Sequence, residues 1–481
     1  MLNSYISLLI LVLSVIEIPM LKPLVVINVV GLTHEMLGDK TPNLMRLANQ
    51  GFSRPMGTVL PAVTCSAQST LLTGLMPREH GIVANGWYFR ELAEVMFWKQ
   101  SNKLVHGQTV YEAAKQRDPA YTTAKLFWWY NMYAPVDWSV TPRPSYPADG
   151  RKVFDSYSQP ESLKDELQSE LGVFPLLRFW GPGADLSSSS WIVDASIKVF
   201  QEKKPSLTLV YLPHLDYNLQ RLGVRDPAID QDIRDIDREA GRLIEVAQNT
   251  GADVVVLSEY AITNVSKPLH INRILREHGW LQVRKEALGW ETLDCGASTA
   301  FAVADHQIAH VYIQNSAQIT EVKSALEKVD GIEMVLDQGQ QAEFGIDHER
   351  SGELVAVAAP GAWFTYYFWL DDRVAPDYAR TVDIHRKPGY DPVELFVDPQ
   401  IRFPKLRIAN RLAKKKLGFR YYMDLTSLDA SLVKGSHGRL PSPGREEAES
   451  PVFICSSQSI ERDEIPMMAV KDMLLELQFG N

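Results

Sequence analysis

The chain has 481 residues, of which 45% are hydrophobic and 22% charged, a composition suited to a globular protein of one large domain or two ordinary ones. Its net charge of −10 argues against general nucleic-acid binding, which needs a basic field. Three cysteines, Cys65, Cys295 and Cys455, lie far apart without CxxC spacing. That pattern argues against a zinc finger or a disulfide framework and points to a reduced, cytoplasmic setting.

At the amino terminus an apolar run from Tyr5 to Ile18 has the look of a signal h-region, but no Lys or Arg precedes it and no small-x-small site follows. Residues 1–19 are therefore expected to be an upstream mis-start before Met20. If genuine, they would be a signal or short anchor and the protein would be secreted or anchored. The strand "LVVINVVGL" follows, then "TPNLMRLANQGF", in which Thr41 can cap a helix, Pro42 suits its first turn and Gly51 can end it. "SLTLVYLPHLD" is a second apolar strand. After it Ile229, Ile233, Ile236, Ala240, Leu243, Ile244 and Ala247 recur at helical spacing, and "DVVVLSEY" is a third strand. Apolar strands alternating with amphipathic helices predict an α/β fold with a mostly parallel sheet covered on both faces. Ligands of such sheets bind beyond the carboxyl ends of the strands, which puts Asp216 and Glu259 around one crevice.

From about residue 267 to 434 shorter strand-like pieces ("AHVYIQN", "GELVAVAA", "WFTYYFWL") alternate with loops and a helix-like run from Ala317 to Val329. The expectation is a core over 20–266, an inserted α+β cap over 267–434, and a return to the core over 435–481, with "SPVFICSS" as its strand.

The stretch "LPAVTCSAQSTLLTGLMPREHGIVANGWYF" places Thr64 at the start of a helix rich in small hydroxyls. A hydroxyl there, beside free backbone N–H groups, can attack phosphorus and steady the resulting anion; a lone Thr in that place is more often only an N-cap. Thr64, Thr73–Gly74, Pro77, His80–Gly81–Ile82 and Asn85 together resemble the nucleophile motif of the nucleotide pyrophosphatases/phosphodiesterases and their phosphonoacetate-hydrolase relatives, in the alkaline phosphatase superfamily. The helix "TPNLMRLANQGF" and the "GSHGR" around His437 are similar to further parts of that pattern. The resemblance implies an alkaline-phosphatase-like fold with a cap. It implies Thr64 as nucleophile and metal ligand, and Asn85 as a contact to the phosphoryl oxygen.

It also implies two zinc ions, which clamp the attacking and leaving oxygens in that family. Against the family's ligand pattern, Asp216 and His437 stay and Glu259 stands as a longer carboxylate. Val30, Gln220 and Tyr260 replace an Asp, a His and a His. A valine donates nothing to a cation, an amide oxygen is a weak zinc ligand, and a phenol must first lose its proton. The expected site is therefore rewired, with one divalent ion on Asp216 and His437 and with Glu259 completing it or holding a second ion. That ion would be zinc, or the harder Mg²⁺ or Mn²⁺. His214 is a further candidate ligand if the stretch to Asp216 is extended, so that both side chains point the same way.

Aromatic residues in "LFWWYNMYAPVDW" suggest either core or a stacking wall for a planar group. "KLRIANRLAKKKLGFR", over 405–420, is basic and amphipathic; a solvated helix face is the expectation, with an anionic membrane as the alternative. His270, His306, His348 and His385 receive no role. The reading is a metal-dependent hydrolase of phosphate ester, pyrophosphate or phosphonate bonds in a small molecule. Its alternative is a non-catalytic protein that binds a phosphorylated ligand.

Overall fold

The computed structural model describes residues 21–148 and 151–480; the expected mis-start over 1–19 lies outside the described residues. In chain order the core supplies strands β1 (Leu24–Val29), β2 (Phe52–Gly57), β3 (Thr123–Leu126), β4 (Trp138–Pro142), β5 (Ser156–Gln159), β6 (Leu207–Leu212) and β7 (Asp253–Leu257). Four more, β8 (Ala300–Asp305), β9 (Ile308–Ile313), β10 (Ile332–Leu336) and β11 (Leu354–Ala358), form a separate antiparallel sheet in the order β8-β9-β11-β10. The chain then returns with β12 (Val452–Cys455) and β13 (Ile465–Pro466).

The large sheet has nine strands in the order β13-β2-β12-β7-β1-β6-β3-β4-β5. Its middle, β7-β1-β6-β3-β4, is parallel, while β5 and β12 run antiparallel to their neighbours. Every residue of β1 and β6 is buried, as the unbroken apolar runs require of strands covered on both faces. The closing "SPVFICSS" strand enters the sheet between β7 and β2.

The helices that matter for the site are α1 (Pro42–Gln50), α2 (Thr64–Thr73), α3 (Leu186–Lys203), α4 (His214–Leu222), α5 (Ile229–Asn249) and α6 (Pro404–Lys416). Helix α5 buries all seven of the periodic residues named above. Helix α1 starts at Pro42 as expected, but the Thr41 hydroxyl bonds Gly38 rather than capping the helix. The orphan N–H groups of Asn43 and Leu44 donate instead to Asp237 of α5, so a distant carboxylate caps this helix.

The piece "WFTYYFWL" departs from expectation. Only Ala362–Phe364 pairs as a strand, against Lys267–Leu269, while Tyr366 to Trp369 is irregular yet fully buried. Its aromatic side chains belong to a second apolar core that spans Val265 to Val433 and takes in Tyr88 and Phe97 from the first part of the chain. Nearby, the buried Lys387 ammonium donates to the Thr381 carbonyl at 2.9 Å and pairs with Asp391 and Glu394, each at 2.7 Å. Burial raises the Glu394 carboxyl above its ordinary range, and the Lys387 charge opposes that.

Candidate active site

The elements converge as the sheet rule predicts, beyond the carboxyl ends of β1, β6 and β7. Thr64 opens α2, with Val63 extended before it, and lies 5% exposed. Asp216 sits in the first turn of α4, directly after β6, and Glu259 and Tyr260 follow β7. Gly74 ends α2 in the left-handed conformation that a side chain resists.

A hydrogen-bonded chain starts at the Thr64 hydroxyl. It lies 3.4 Å from the Tyr260 phenol, which donates its single proton to Asp216 Oδ1 at 3.2 Å, so Thr64 is the donor toward Tyr260. Gln220, one turn along α4, donates to Asp216 Oδ2 at 2.7 Å, and the Tyr390 hydroxyl donates to Gln220 Oε1 at 2.9 Å. Burial pushes the Asp216 carboxyl up to about 7, against the pull of its Gln220 and Tyr260 hydrogen bonds. Burial also raises the Tyr260 phenol well above its usual value, with Asp216 and Glu259 adding to the effect.

Glu259 stands on the other side of Thr64. Its Oε2 accepts from Asn28 Nδ2 at 2.7 Å and Gln68 Nε2 at 2.8 Å. Gln68 is held in that orientation because its oxygen accepts the Trp129 backbone N–H at 2.7 Å. Burial pushes the Glu259 carboxyl up to about 8, opposed by Gln68, Asn28 and the Thr64 hydroxyl.

Asn85 is anchored by a carboxylate from the second sheet. Its backbone N–H donates to Asp305 Oδ2 at 2.8 Å and its Nδ2 to Asp305 Oδ1 at 3.1 Å, while its Oδ1 accepts the Cys65 N–H at 2.9 Å. His306, next in the tight turn between β8 and β9 and in the left-handed region at φ 61°, donates Nδ1–H to Asp305 Oδ1 at 2.7 Å. Its ring lies between those of Tyr390 and His437, with centroids at 3.6 and 3.7 Å, and His437 in turn stacks on Tyr260 at 3.5 Å. His437 Nδ1 bonds the Ala62 carbonyl at 2.8 Å. Burial holds both imidazoles neutral by lowering them well below the ordinary histidine value.

The structure thus brings Thr64, Asp216, Gln220, Tyr260 and His437 together, with Glu259 and Asn85 flanking Thr64. It does not bring in His214. The chain is helical from His214 onward, so residues two apart point in different directions, and His214 Nε2 faces Asp232 of α5 at 3.3 Å. Val30 is fully buried apolar core. Asn28, Gln68, Asp305, His306 and Tyr390 join the site without having been singled out. For Asn28 and Gln68 the available signal was a polar residue inside an apolar strand and within a closely packed helix. The aromatic stretch divides: Phe127 packs in the core against Phe174 and Trp191, while the half-buried Trp129 meets Trp98 edge-on.

A divalent cation needs several lone pairs free to converge on it. Here each Asp216 oxygen already accepts one hydrogen bond, Tyr260 keeps its proton, and Glu259 Oε2 accepts two amide N–H groups, while the buried Glu259 Oε1 and His437 Nε2 stand without a hydrogen-bond partner. Among the described residues, no group of three or more His, Cys, Asp or Glu is arranged to hold a metal ion. Two zinc sites are therefore not built here, and Asp216, His437 and Glu259, the residues that would hold a single ion, are not grouped for it among the described residues. An open cavity of about 770 Å³ lies elsewhere, lined by Lys40, Arg225, Asp230, Arg439 and Glu449 among others, and contains neither Thr64 nor Asn85.

Residues 24–391 match the family model for type I phosphodiesterase / nucleotide pyrophosphatase. The fold is similar to that of phosphonoacetate hydrolase from Sinorhizobium meliloti 1021 in complex with phosphonoformate, with a TM-score of 0.61 and 15% identity over 96% of each chain. It is also similar to murine ectonucleotide pyrophosphatase / phosphodiesterase 5, in an inactive variant in complex with AMP, with a TM-score of 0.55 and 16% identity over 95% of each chain. At these identities the likeness shows the fold. A comparison with curated protein sequences found no match.

Proposed function

Because the chain belongs to the type I phosphodiesterase/nucleotide pyrophosphatase family, and is on that ground a hydrolase, we propose that it cleaves a phosphate ester, pyrophosphate or phosphonate bond in a small molecule through Thr64. The observation that carries this reading is the hydrogen-bonded chain from Thr64 through Tyr260 to Asp216.

In the first step Thr64 Oγ1 attacks phosphorus as the bond to the leaving group breaks. Its proton passes to the Tyr260 oxygen while the phenol proton moves to Asp216 Oδ1, so Tyr260 stays neutral and the charge resides on the departing anion. The phosphoryl oxygens meet the N-terminal turn of α2 and the Asn85 amide, which Asp305 holds in place. Water then attacks phosphorus as the Thr64 oxygen departs and recovers its proton from Tyr260, and Asp216 returns a proton to the phenol. One water proton stays on the new P–OH, and the other passes to the leaving-group anion released in the first step or to solvent. No step is routed through a metal, because the donors do not fit one. Small phosphorylated or phosphonate compounds are the proposed ligands. A purely binding role is not favoured, since it leaves the nucleophile geometry without a use.

The test is release of nitrophenol from bis(4-nitrophenyl) phosphate and 4-nitrophenyl phosphate, and of inorganic phosphate from pyrophosphate and phosphonoacetate. Turnover of at least one is expected, with covalent labelling of Thr64 detectable by mass spectrometry after acid quench. Turnover of a probe that survives intact in Thr64→Ala would contradict the assignment of the nucleophile.

A further inference from the structure

Helix α6 presents its apolar side outward. Leu406, Ala409, Ala413 and Leu417 recur at i, i+3, i+7 and i+11, which lines them along one face. Leu406 is 68% exposed and Leu417 is 72% exposed, with Phe403 at 61% just before the helix and Phe419 at 64% just after it. The side turned toward the protein carries Arg407, Ile408, Arg411 and Lys415, all half-buried. Arg407 and Arg411 both pair with Asp424 on that side, Arg411 at 3.1 Å. A solvated helix does the reverse, burying its leucines and showing its arginines.

The charge around this face is of one sign. Between Asp398 and Asp424 there are eight Lys or Arg residues and no Asp or Glu, in a chain whose net charge is −10. Lys405 and Lys416 flank the apolar stripe on one side and Lys414 on the other. Leucine and phenylalanine on the exposed side, rimmed by lysine, is the arrangement of a helix lying in a membrane interface, with apolar side chains among acyl chains and ammonium groups at the phosphates. Among the described residues no helix is long and apolar enough to cross a membrane, so the contact would be peripheral.

We propose that residues 403–419 form a docking surface for an anionic lipid membrane. Anionic lipid fits better than a nucleic acid because four large apolar side chains stand exposed on the basic face, and a phosphodiester backbone offers them no apolar partner. The proposal is independent of the chemistry at Thr64.

The test uses the full chain and sedimentation with vesicles of phosphatidylcholine, alone or mixed with phosphatidylserine. Binding to the mixed vesicles alone is expected, and it should weaken as salt shortens the screening length from about 10 Å at 0.1 M to about 3 Å at 1 M. Replacing Lys405, Lys414 and Lys416 by alanine should lower the partition coefficient on the order of 100-fold. Leu406→Glu with Leu417→Glu should lower it at least about tenfold at low salt, since both side chains then resist insertion. These exposed substitutions should leave circular dichroism and turnover of the phosphate probe unchanged. Failure of the parent to bind mixed vesicles at low salt would overturn the proposal. So would binding that both sets of variants retain, or binding lost only in the lysine variants and matched by single-stranded RNA.

Discussion

Thr64→Ala should lower kcat for the best phosphate probe by at least about 10³-fold while the protein stays folded. The side chain is buried, but its contact with Tyr260 is long at 3.4 Å and Glu259 keeps its hydrogen bonds from Gln68 and Asn28 without it, so its removal leaves no strong donor without a partner. The chemistry that remains is what Asn85 and the α2 N-terminus supply by binding the phosphoryl group, which is why a residual rate above the uncatalysed one is expected. Thr64→Ser keeps the hydroxyl and should recover most of the loss. Steady-state kinetics and a urea midpoint on the three proteins separate chemistry from folding. An alanine variant with parental kcat would remove Thr64 from the reaction.

The second large effect falls on the proton's destination. Asp216 must be ionised to accept a proton through Tyr260, and burial places its carboxyl at about 7. The limiting rate should therefore rise with pH up to about 7 and flatten above it, because below that value the carboxyl already holds a proton. Asp216→Asn removes the acceptor and should cost about 10²–10⁴-fold while abolishing that rise. Tyr260→Phe keeps the ring on His437 but interrupts the transfer between Thr64 and Asp216, and should have a similar effect on kcat with a small one on KM. A pH–rate profile of Asp216→Asn that still rises around 7 would assign the step to another group, of which Glu259 is the nearest.

How far this site is legible in the sequence depends on the distance over which its parts interact. The parallel sheet is legible because strands covered on both faces need unbroken apolar runs, and β1, β6 and β7 have them. Thr64, Asp216, Glu259 and Tyr260 are legible because each follows a strand or opens a helix, and Asn85, in the loop before Gly86–Phe89, because it completes the motif that begins at Thr64. What escapes is long-range. Asp305 bonds Asn85 across 220 positions, and Tyr390 reaches Gln220 across 170, with nothing local in "ADHQ" or "PGYD" to announce either. His214 drops out for a local reason: α4 begins at once after β6, whereas its candidacy required an extended backbone up to Asp216. Val30, Gln220 and Tyr260 were legible as departures from the family's ligands. Their meaning appears only in the structure, where Gln220 and Tyr260 donate hydrogen bonds to the very carboxylate that would have faced a cation.

On the proposed mechanism, hydrogen-bond donors on Asp216 and Glu259 take the place of a metal clamp around Thr64. The measurement that tests it most directly is metal content per chain by elemental analysis, before and after exhaustive chelation, with turnover of the phosphate probe followed on the same samples. The account predicts well under one equivalent of zinc, manganese or magnesium, and turnover that survives chelation. One or two tightly held equivalents, removed together with turnover and absent from Asp216→Ala, would contradict it.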